Sequence, residues 1–344
     1  MTIKDVAKKA GVSVATVSRV VHNYKWVSPE IRERVQKVID EEHYQPNYIS
    51  SVMATGKSSM IVIVVPSISS PFFAQFTDTA IHILKAAGYF SIVHETDNCS
   101  SEEISFFGSP FALLADGIIS VTDGVENEGL FKMIRPLLEK RKPILFIDRL
   151  VPDSIADCVI NDNIGAMYES VKLLHENGHE KIALITGKKG ITVVHDKIIG
   201  FRRAMESFGL PVREDYVRIG NWSAKTGERE TAALLDLEEP PTAIIACNNF
   251  ICEGAFDEIA RRGLETGKGI SLIGAEESDS DARLFSRLGI TTLKLDSKGL
   301  AVYASKYMLN RLSSAYPKTS YTTMEYPMEL IERNSVANLN KQTD

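Results

Sequence analysis

No run of eighteen apolar residues occurs anywhere in the 344-residue chain, which excludes a helical membrane span. The opening MTIKDVAKKAG has lysines where a secretion signal needs an apolar segment, so a cytoplasmic location is expected. Cysteine is scarce. Cys99, Cys158, Cys247 and Cys252 show no CxxC spacing, which argues against a zinc ribbon or a disulfide framework and fits reduced, buried thiols. Low-complexity segments are absent, as is the Gly-x-Ser-x-Gly elbow of the serine hydrolases. Net positive charge is absent too: 39 Lys/Arg against 45 Asp/Glu leave −6.

The distribution of that charge says more than its sum. Residues 1–60 hold nine Lys/Arg against six Asp/Glu, a net of +3, so the remainder carries −9. A basic head on an acidic body is expected to present only the head to a polyanion. At 344 residues the chain also exceeds one typical domain, so two or three units are expected, each with its own core.

The head reads as three short helices. Thr2 with Asp5 three residues on is a capping-box variant that starts a helix running to about Ala10. Gly11 supplies a turn, Ser13 caps a second helix, and Val17, Val20 and Val21 form its apolar stripe. Ser28 and Pro29 start a third, with Ile31, Val35, Val38 and Ile39 facing inward. In AGVSVATVSRVV the face opposite the valines carries only small or weakly polar groups before Arg19. A helix that enters the DNA major groove needs that slimness. Val14 and Ala15 suit thymine methyls and base edges, Thr16 and Ser18 suit phosphates, and Arg19 suits guanine O6 and N7. The competing reading is a three-helix protein-docking module.

After Pro46 comes QPNYISSVMATGKSS, a linker with marginal helix potential in which Asn47 is placed to cap. From Met60 on, apolar strand runs alternate with amphipathic helices: IVIVVP, a helix through FTDTAIHILKAAGY, FSIVHET, DGIISVT, PILFID, a helix over 164–177, KIALITG, a helix over 197–208, TAIIAC, a helix over 252–263, and ISLIGAEE. This predicts an α/β body of parallel sheets wound on both faces, long enough for two similar lobes.

Three strings suggest enzymes and fail on context. HENGH at 175–179 matches HExxH, but Asn177-Gly178 stops the helix and leaves His179 off it. TGKSS at 55–59 lacks the glycine and preceding strand of a phosphate loop. GKKG at 187–190 is one turn after a strand, read as a plain loop.

TIKDVAKKAGVSVATVSRVVH, VSPEIRERVQKVI and YQPN closely resemble the head of the lactose-repressor (LacI/GalR) family of bacterial transcription regulators. The resemblance continues in family order through PSISSPFFAQF, ADGIIS, FIDR, NGHEKIALITG, CNN, LIGAEE, TTL and LIERNSV. It implies a non-enzymatic repressor that binds a palindromic double-stranded DNA operator as a homodimer. It also implies a body related to periplasmic sugar-binding proteins, no resident cofactor, and a small sugar or sugar-phosphate effector between the lobes. The implied division is a helix-turn-helix head at 1–46, a hinge helix at 47–58 and a body at 59–340. The amino lobe is expected over about 59–158 and 287–316, and the carboxy lobe over about 159–286 and 317–333.

The resemblance adds Thr2, Ser13, His22, Asn47, Ser50 and Met53 to the DNA-facing set and implies Phe72, Phe73, Asp148, Lys197, Trp222, Asn248 and Glu276 as effector ligands. Departures are specific. Ser50, Ser51 and Met53 replace the family's Ala-Arg and following Leu; that Leu wedges into the minor groove, and Met53 is apolar and long enough to do the same. Losing the Arg predicts weaker, less salt-sensitive DNA binding. His22 stands where Asn is usual, Lys197 where Arg is, Glu276 where Asp is, and Asn249 where Asp is, so charge at 197 and 276 is kept while reach changes. The tail NSVANLNKQTD has no leucine heptad, so a dimer is the expected assembly. The remaining alternatives are an activator or corepressor-dependent regulator, and a sugar-binding transport component, which leaves the basic head unexplained.

Overall fold

A computed structural model describes residues 1–21, 26–44, 52, 56–122, 128–151, 156–279, 281–313 and 321–341. Contacts divide the chain into Met1–Ser58 and Ser59–Asp344.

In the first unit, α1 (Ile3–Ala10), α2 (Val14–Val21) and α3 (Pro29–Glu41) begin where their caps place them. The Asp5 carboxylate accepts the Thr2 N–H (2.9 Å) and hydroxyl (2.8 Å), which ties the first turn of α1 to its cap. Gly11, at φ 64°, ends α1 in the left-handed region that a side chain would resist. Ser13 Oγ accepts from Thr16 N–H at 3.2 Å, and Ser28 Oγ accepts from Ile31 N–H at 3.4 Å. Val6, Ala7, Ala10, Val17, Val20, Val35 and Tyr44 then close one small core from all three helices. Further along the chain, Val52 O accepts from Gly56 N–H (2.8 Å), and Gly56 has φ 67°. Of the hinge helix expected over 47–58, residues 47–51 and 53–55 lie outside the described residues, and Lys57 and Ser58 are not helical.

The second unit contains two six-stranded sheets. Its amino lobe holds β1 (Met60–Val65), β2 (Phe90–Glu95), β3 (Gly117–Ser120), β4 (Ile144–Asp148), β5 (Asp157–Asn161) and β11 (Thr323–Tyr326), in the order β2-β1-β3-β4-β5-β11 and parallel throughout. Its carboxy lobe holds β6 (Ile182–Thr186), β7 (Val217–Ile219), β8 (Ala243–Ala246), β9 (Ser271–Glu277), β10 (Thr291–Lys294) and β12 (Glu329–Ile331), in the order β7-β6-β8-β9-β10-β12, with only β12 antiparallel. Helices cover both faces, so central strands read as unbroken apolar runs; Ile61–Val65 are all fully buried. In the amino lobe these helices are α4 (Pro71–Ala86), α5 (Ser100–Phe107), α6 (Pro110–Leu114), α7 (Glu128–Glu139) and α13 (Ser297–Leu312). In the carboxy lobe they are α8 (Asn163–Glu176), α9 (Thr192–Ser207), α10 (Ala224–Leu235), α11 (Asn249–Arg261) and α12 (Ala282–Leu288).

Two features differ from the sequence reading. The lobe boundaries move: β10, expected in the amino lobe, completes the carboxy sheet beside β9, and β11, expected in the carboxy lobe, closes the amino sheet beside β5. The chain therefore passes between lobes at 161–163, 294–297 and 326–329. Long-range strand pairing decides this, and local apolarity at 291–294 carries no information about it. Helices α4, α9 and α11 also start several residues earlier than their apolar periodicity suggests, because Pro71 at the first turn and the Asn248 cap extend α4 and α11 toward the strand ends. No helix among the described residues is long and apolar enough to cross a membrane.

Candidate DNA-reading face and effector cavity

The exposed face of α2 carries the residues expected to read DNA. Val17 and Val20 are buried, while Ser13, Val14, Ala15 and Arg19 are exposed and Thr16 and Ser18 half-buried. Thr16 Oγ1 lies 2.9 Å from Ser13 Oγ, so these two hydroxyls share a bond at the helix start. Thr2 is exposed and serves as the cap of α1. His22, Asn47, Ser50 and Met53 lie outside the described residues.

In the body, a cavity of about 170 Å³ is walled by both lobes. Phe72, Phe73, Asp148, Trp222, Asn248 and Glu276 all line it. Phe72 and Phe73, on the first turn of α4, meet edge to face (centroids 4.9 Å apart) and also belong to the amino-lobe core. Asn248 spends Oδ1 on the Ile251 N–H at 2.8 Å, capping α11, and so offers its amide NH2 to the cavity.

Two carboxylates reach the cavity because the backbone bends sharply at each. Asp148 ends β4 at φ 65°, inside a three-residue turn closed by Arg149 N–H to Ile147 O at 2.7 Å. Glu276 has the same φ, and it is the extra residue where β9 slips register against β10: Ala275 pairs with Leu293 and Glu277 with Lys294. Such a bulge re-aims one side chain out of the alternating pattern. Glu277 meanwhile pairs with Arg333 at 2.8 Å inside the carboxy lobe. Left-handed non-glycine residues cost about 1–3 kcal/mol each, and both of these sit at the cavity.

Lys197 stands behind the lining, on α9. Its ammonium donates to Cys247 O (2.8 Å) and Glu276 Oε1 (2.9 Å), and lies 5.7 Å from the Trp222 ring centroid. Burial opposes its charge, but Glu276 and the Cys247 side prevail and hold it above the usual ammonium value. Burial raises the Glu276 carboxyl above the ordinary carboxylate range, with Lys197 opposing and Asp148 reinforcing. Asp148 accepts from Asn161 Nδ2 at 3.0 Å. The Trp222 indole N–H is closed off from solvent with no acceptor among the described residues.

Sequence reasoning missed Arg149, Asn98, Val193, Phe250 and the serines of PSISS, which also line the cavity. Arg149 donates to Thr122 O (2.9 Å) and Asn98 Oδ1 (2.7 Å), and the Asn98 carbonyl accepts from Lys188 of the opposite lobe at 2.9 Å. The signal for Asn98 was the Asp-Asn pair at 97–98, two residue types that tolerate left-handed backbone and adopt it here.

The HENGH string resolves as structural. His175 stays on α8 and stacks on Phe208 at 4.9 Å, while His179 falls beyond the helix, buried against Thr242, Ser271 and Ala337. Burial pushes the His179 imidazole below its usual value, and it pushes the Cys247 and Cys252 thiols up to about 11 and about 12.

Residues 2–47 match the family described as bacterial regulatory proteins, lacI family, and residues 58–304 match the periplasmic binding proteins and sugar binding domain of LacI family. The HTH-type transcriptional regulator DegA of Bacillus subtilis is 30% identical over 98% of this chain and 99% of its own. The HTH-type transcriptional repressor PurR of Actinobacillus pleuropneumoniae is 28% identical over 99% of each. Among solved structures, the lac repressor dimer bound to operator and the anti-inducer ONPF superposes with a TM-score of 0.80 at 24% identity, over 98% of this chain and 99% of that one. The slim exposed face of α2, the two-lobed body with its cavity and these matches along the whole chain agree: the protein belongs to the lacI family of bacterial regulatory proteins and is a DNA-binding transcription regulator, not an enzyme.

Proposed function

We propose that this regulator is a repressor that binds a palindromic operator as a homodimer in the bacterial cytoplasm, on the nucleoid, and that a small sugar-like effector in the interlobe cavity sets its operator affinity. One observation carries the effector reading: the cavity is drawn from both lobes, so a ligand there has different contacts in open and closed arrangements. The volume of about 170 Å³ lies below the roughly 300–1,000 Å³ of drug-sized sites, which favours a ligand of monosaccharide scale. Dimerisation is supported by apolar side chains left bare on the amino lobe, with Phe90 at 74% and Phe111 at 57% exposure beside Leu113 and Leu114. Arg19, Val14 and Ala15 would read base edges in the major groove.

Coupling of about 1–3 kcal/mol between effector and operator is the usual scale, a change of roughly 5- to 150-fold in affinity. The test is selection of bound duplexes from a random pool by the full-length protein, followed by titration of the selected duplex with a panel of sugars, sugar phosphates, nucleosides and purines. The expected result is a palindromic consensus and at least one small molecule that shifts its affinity at least fivefold. No selected sequence, or affinity flat across the panel, would overturn the reading.

A further inference from the structure

Each cavity carboxylate has a cation of this chain beside it: Lys197 stands behind the lining at Glu276, and Arg149 shares the lining with Asp148, while exposed Lys188 is tied to the Asn98 carbonyl. Lys197 is bound to Glu276 and to the Cys247 carbonyl; its side chain is 1% exposed, against 20% for Glu276. Arg149 Nε lies 3.8 Å from Asp148 Oδ2, with its terminal nitrogens on Thr122 and Asn98; its side chain is 6% exposed, against 14% for Asp148. A ligand entering the cavity therefore meets Glu276 before Lys197, and meets Arg149 only alongside Asp148, the more exposed of that pair. An ammonium has only three protons, and Lys197 has two committed within the chain while the Trp222 ring lies over the ammonium. Phosphate would have to displace Glu276 or Asp148 from its partner and leave that carboxylate unpaired in a buried site, the costly outcome of breaking such pairs. Hydroxyl groups face no such conflict: they donate to the carboxylates and accept from the Trp222 indole and the Asn248 amide.

We propose that the cavity admits an uncharged, hydroxyl-rich ligand and rejects its phosphorylated or carboxylated counterparts, because Lys197 and Arg149 are each already partnered within the chain by a carboxylate that is more exposed than they are. This narrows the effector class and rests on the reading of the cavity as an effector site.

Inorganic phosphate serves as the probe, with thermal unfolding of the full-length protein as readout and sodium chloride of equal ionic strength as reference. Wild type is expected to show no saturable stabilisation. Glu276→Gln leaves Lys197 without its anion and should gain a saturable phosphate response, which disappears in the Lys197→Met/Glu276→Gln double variant. Asp148→Asn, which releases Arg149 at a more open position, should gain one as well and serves if Glu276→Gln folds poorly. A saturable response in wild type that Lys197→Met removes would overturn the proposal, and so would indifference of both Glu276→Gln and Asp148→Asn. The titration involves neither DNA nor effector, so its failure is separate from failure of the operator experiment.

Discussion

Replacing Gly187 by alanine should disable the cavity without touching a charged group. Gly187 directly follows β6, and a Cβ there would lie 2.2, 2.3 and 2.4 Å from three carbons of the Trp222 indole. Ordinary contact begins at 3.4 Å, so the ring must retreat by about 1.2 Å. The indole packs with Ile191, Val193 and Val194, lies near the Lys197 ammonium and lines the cavity, so a displaced ring either strains those contacts or intrudes on the cavity. Overpacking of this kind costs about 1–3 kcal/mol. The retreat also moves the indole N–H away from any ligand oxygen, a loss of about 0.5–1.5 kcal/mol, or up to roughly tenfold in effector affinity. The chain has two tryptophans, and Trp26 in the head is 92% exposed, so Trp26→Phe leaves Trp222 as sole fluorophore. In that background Gly187→Ala should shift the Trp222 emission maximum and lower the urea midpoint of the body. Unchanged emission together with an unchanged midpoint would refute the steric reasoning.

Three further outcomes are expected. Arg19→Ala should cost about 1–3 kcal/mol at one base pair of the operator while leaving affinity for the variant base intact, measured by competition between duplexes; uniform weakening on every sequence would show a phosphate contact instead. Arg311→Met removes the cation that donates to Asp157 at 2.6 Å but leaves it the Tyr307 hydroxyl (2.8 Å) and the Thr322 N–H (3.0 Å), and should destabilise the body by about 1.5–3 kcal/mol in denaturant melts, the scale for a hydrogen bond to a charged group. His179 is held neutral by burial, so below the ordinary imidazole value of 6.5 the unfolded chain binds a proton that the folded chain refuses. Stability therefore falls as pH drops from 6.5 toward the depressed folded value, and His179→Gln should flatten that slope in melts between pH 7 and about pH 5.

The head was legible because its determinants are local. Thr2 with Asp5, Gly11, Ser13 and Ser28-Pro29 each act within one turn, and the structure places a helix boundary at each. The cavity was legible in part. Asp148 and Glu276 lie at the ends of strands, and Trp222 and Asn248 just past them, where apolar runs mark the strands plainly, and the resemblance to a family singled them out. Arg149 was adjacent to a chosen residue and still missed, because nothing local says that a guanidinium beside an aspartate folds back on Thr122 and Asn98. The bulge at Glu276 was hidden for a related reason: in LIGAEE two successive glutamates look equivalent, and only the register against Thr291–Lys294 sends one to the cavity and the other to Arg333. The exchange of β10 and β11 between lobes belongs to the same class, since a four-residue strand matches several possible neighbours equally well.

That exchange also fixes an order of events during synthesis. The amino lobe begins at residue 59 but lacks its edge strand and α13 until Tyr326 has emerged, and the carboxy lobe waits for Ile331. At about 5–20 residues per second the interval from residue 58 to 326 lasts roughly 13–54 s. The head, continuous in sequence, can complete its own core as soon as its segment clears the ribosome, whereas both lobes stay unfinished until the last tenth of the chain appears. A nonsense mutation between the end of the head and that point leaves a reading head on a body whose two sheets are both incomplete.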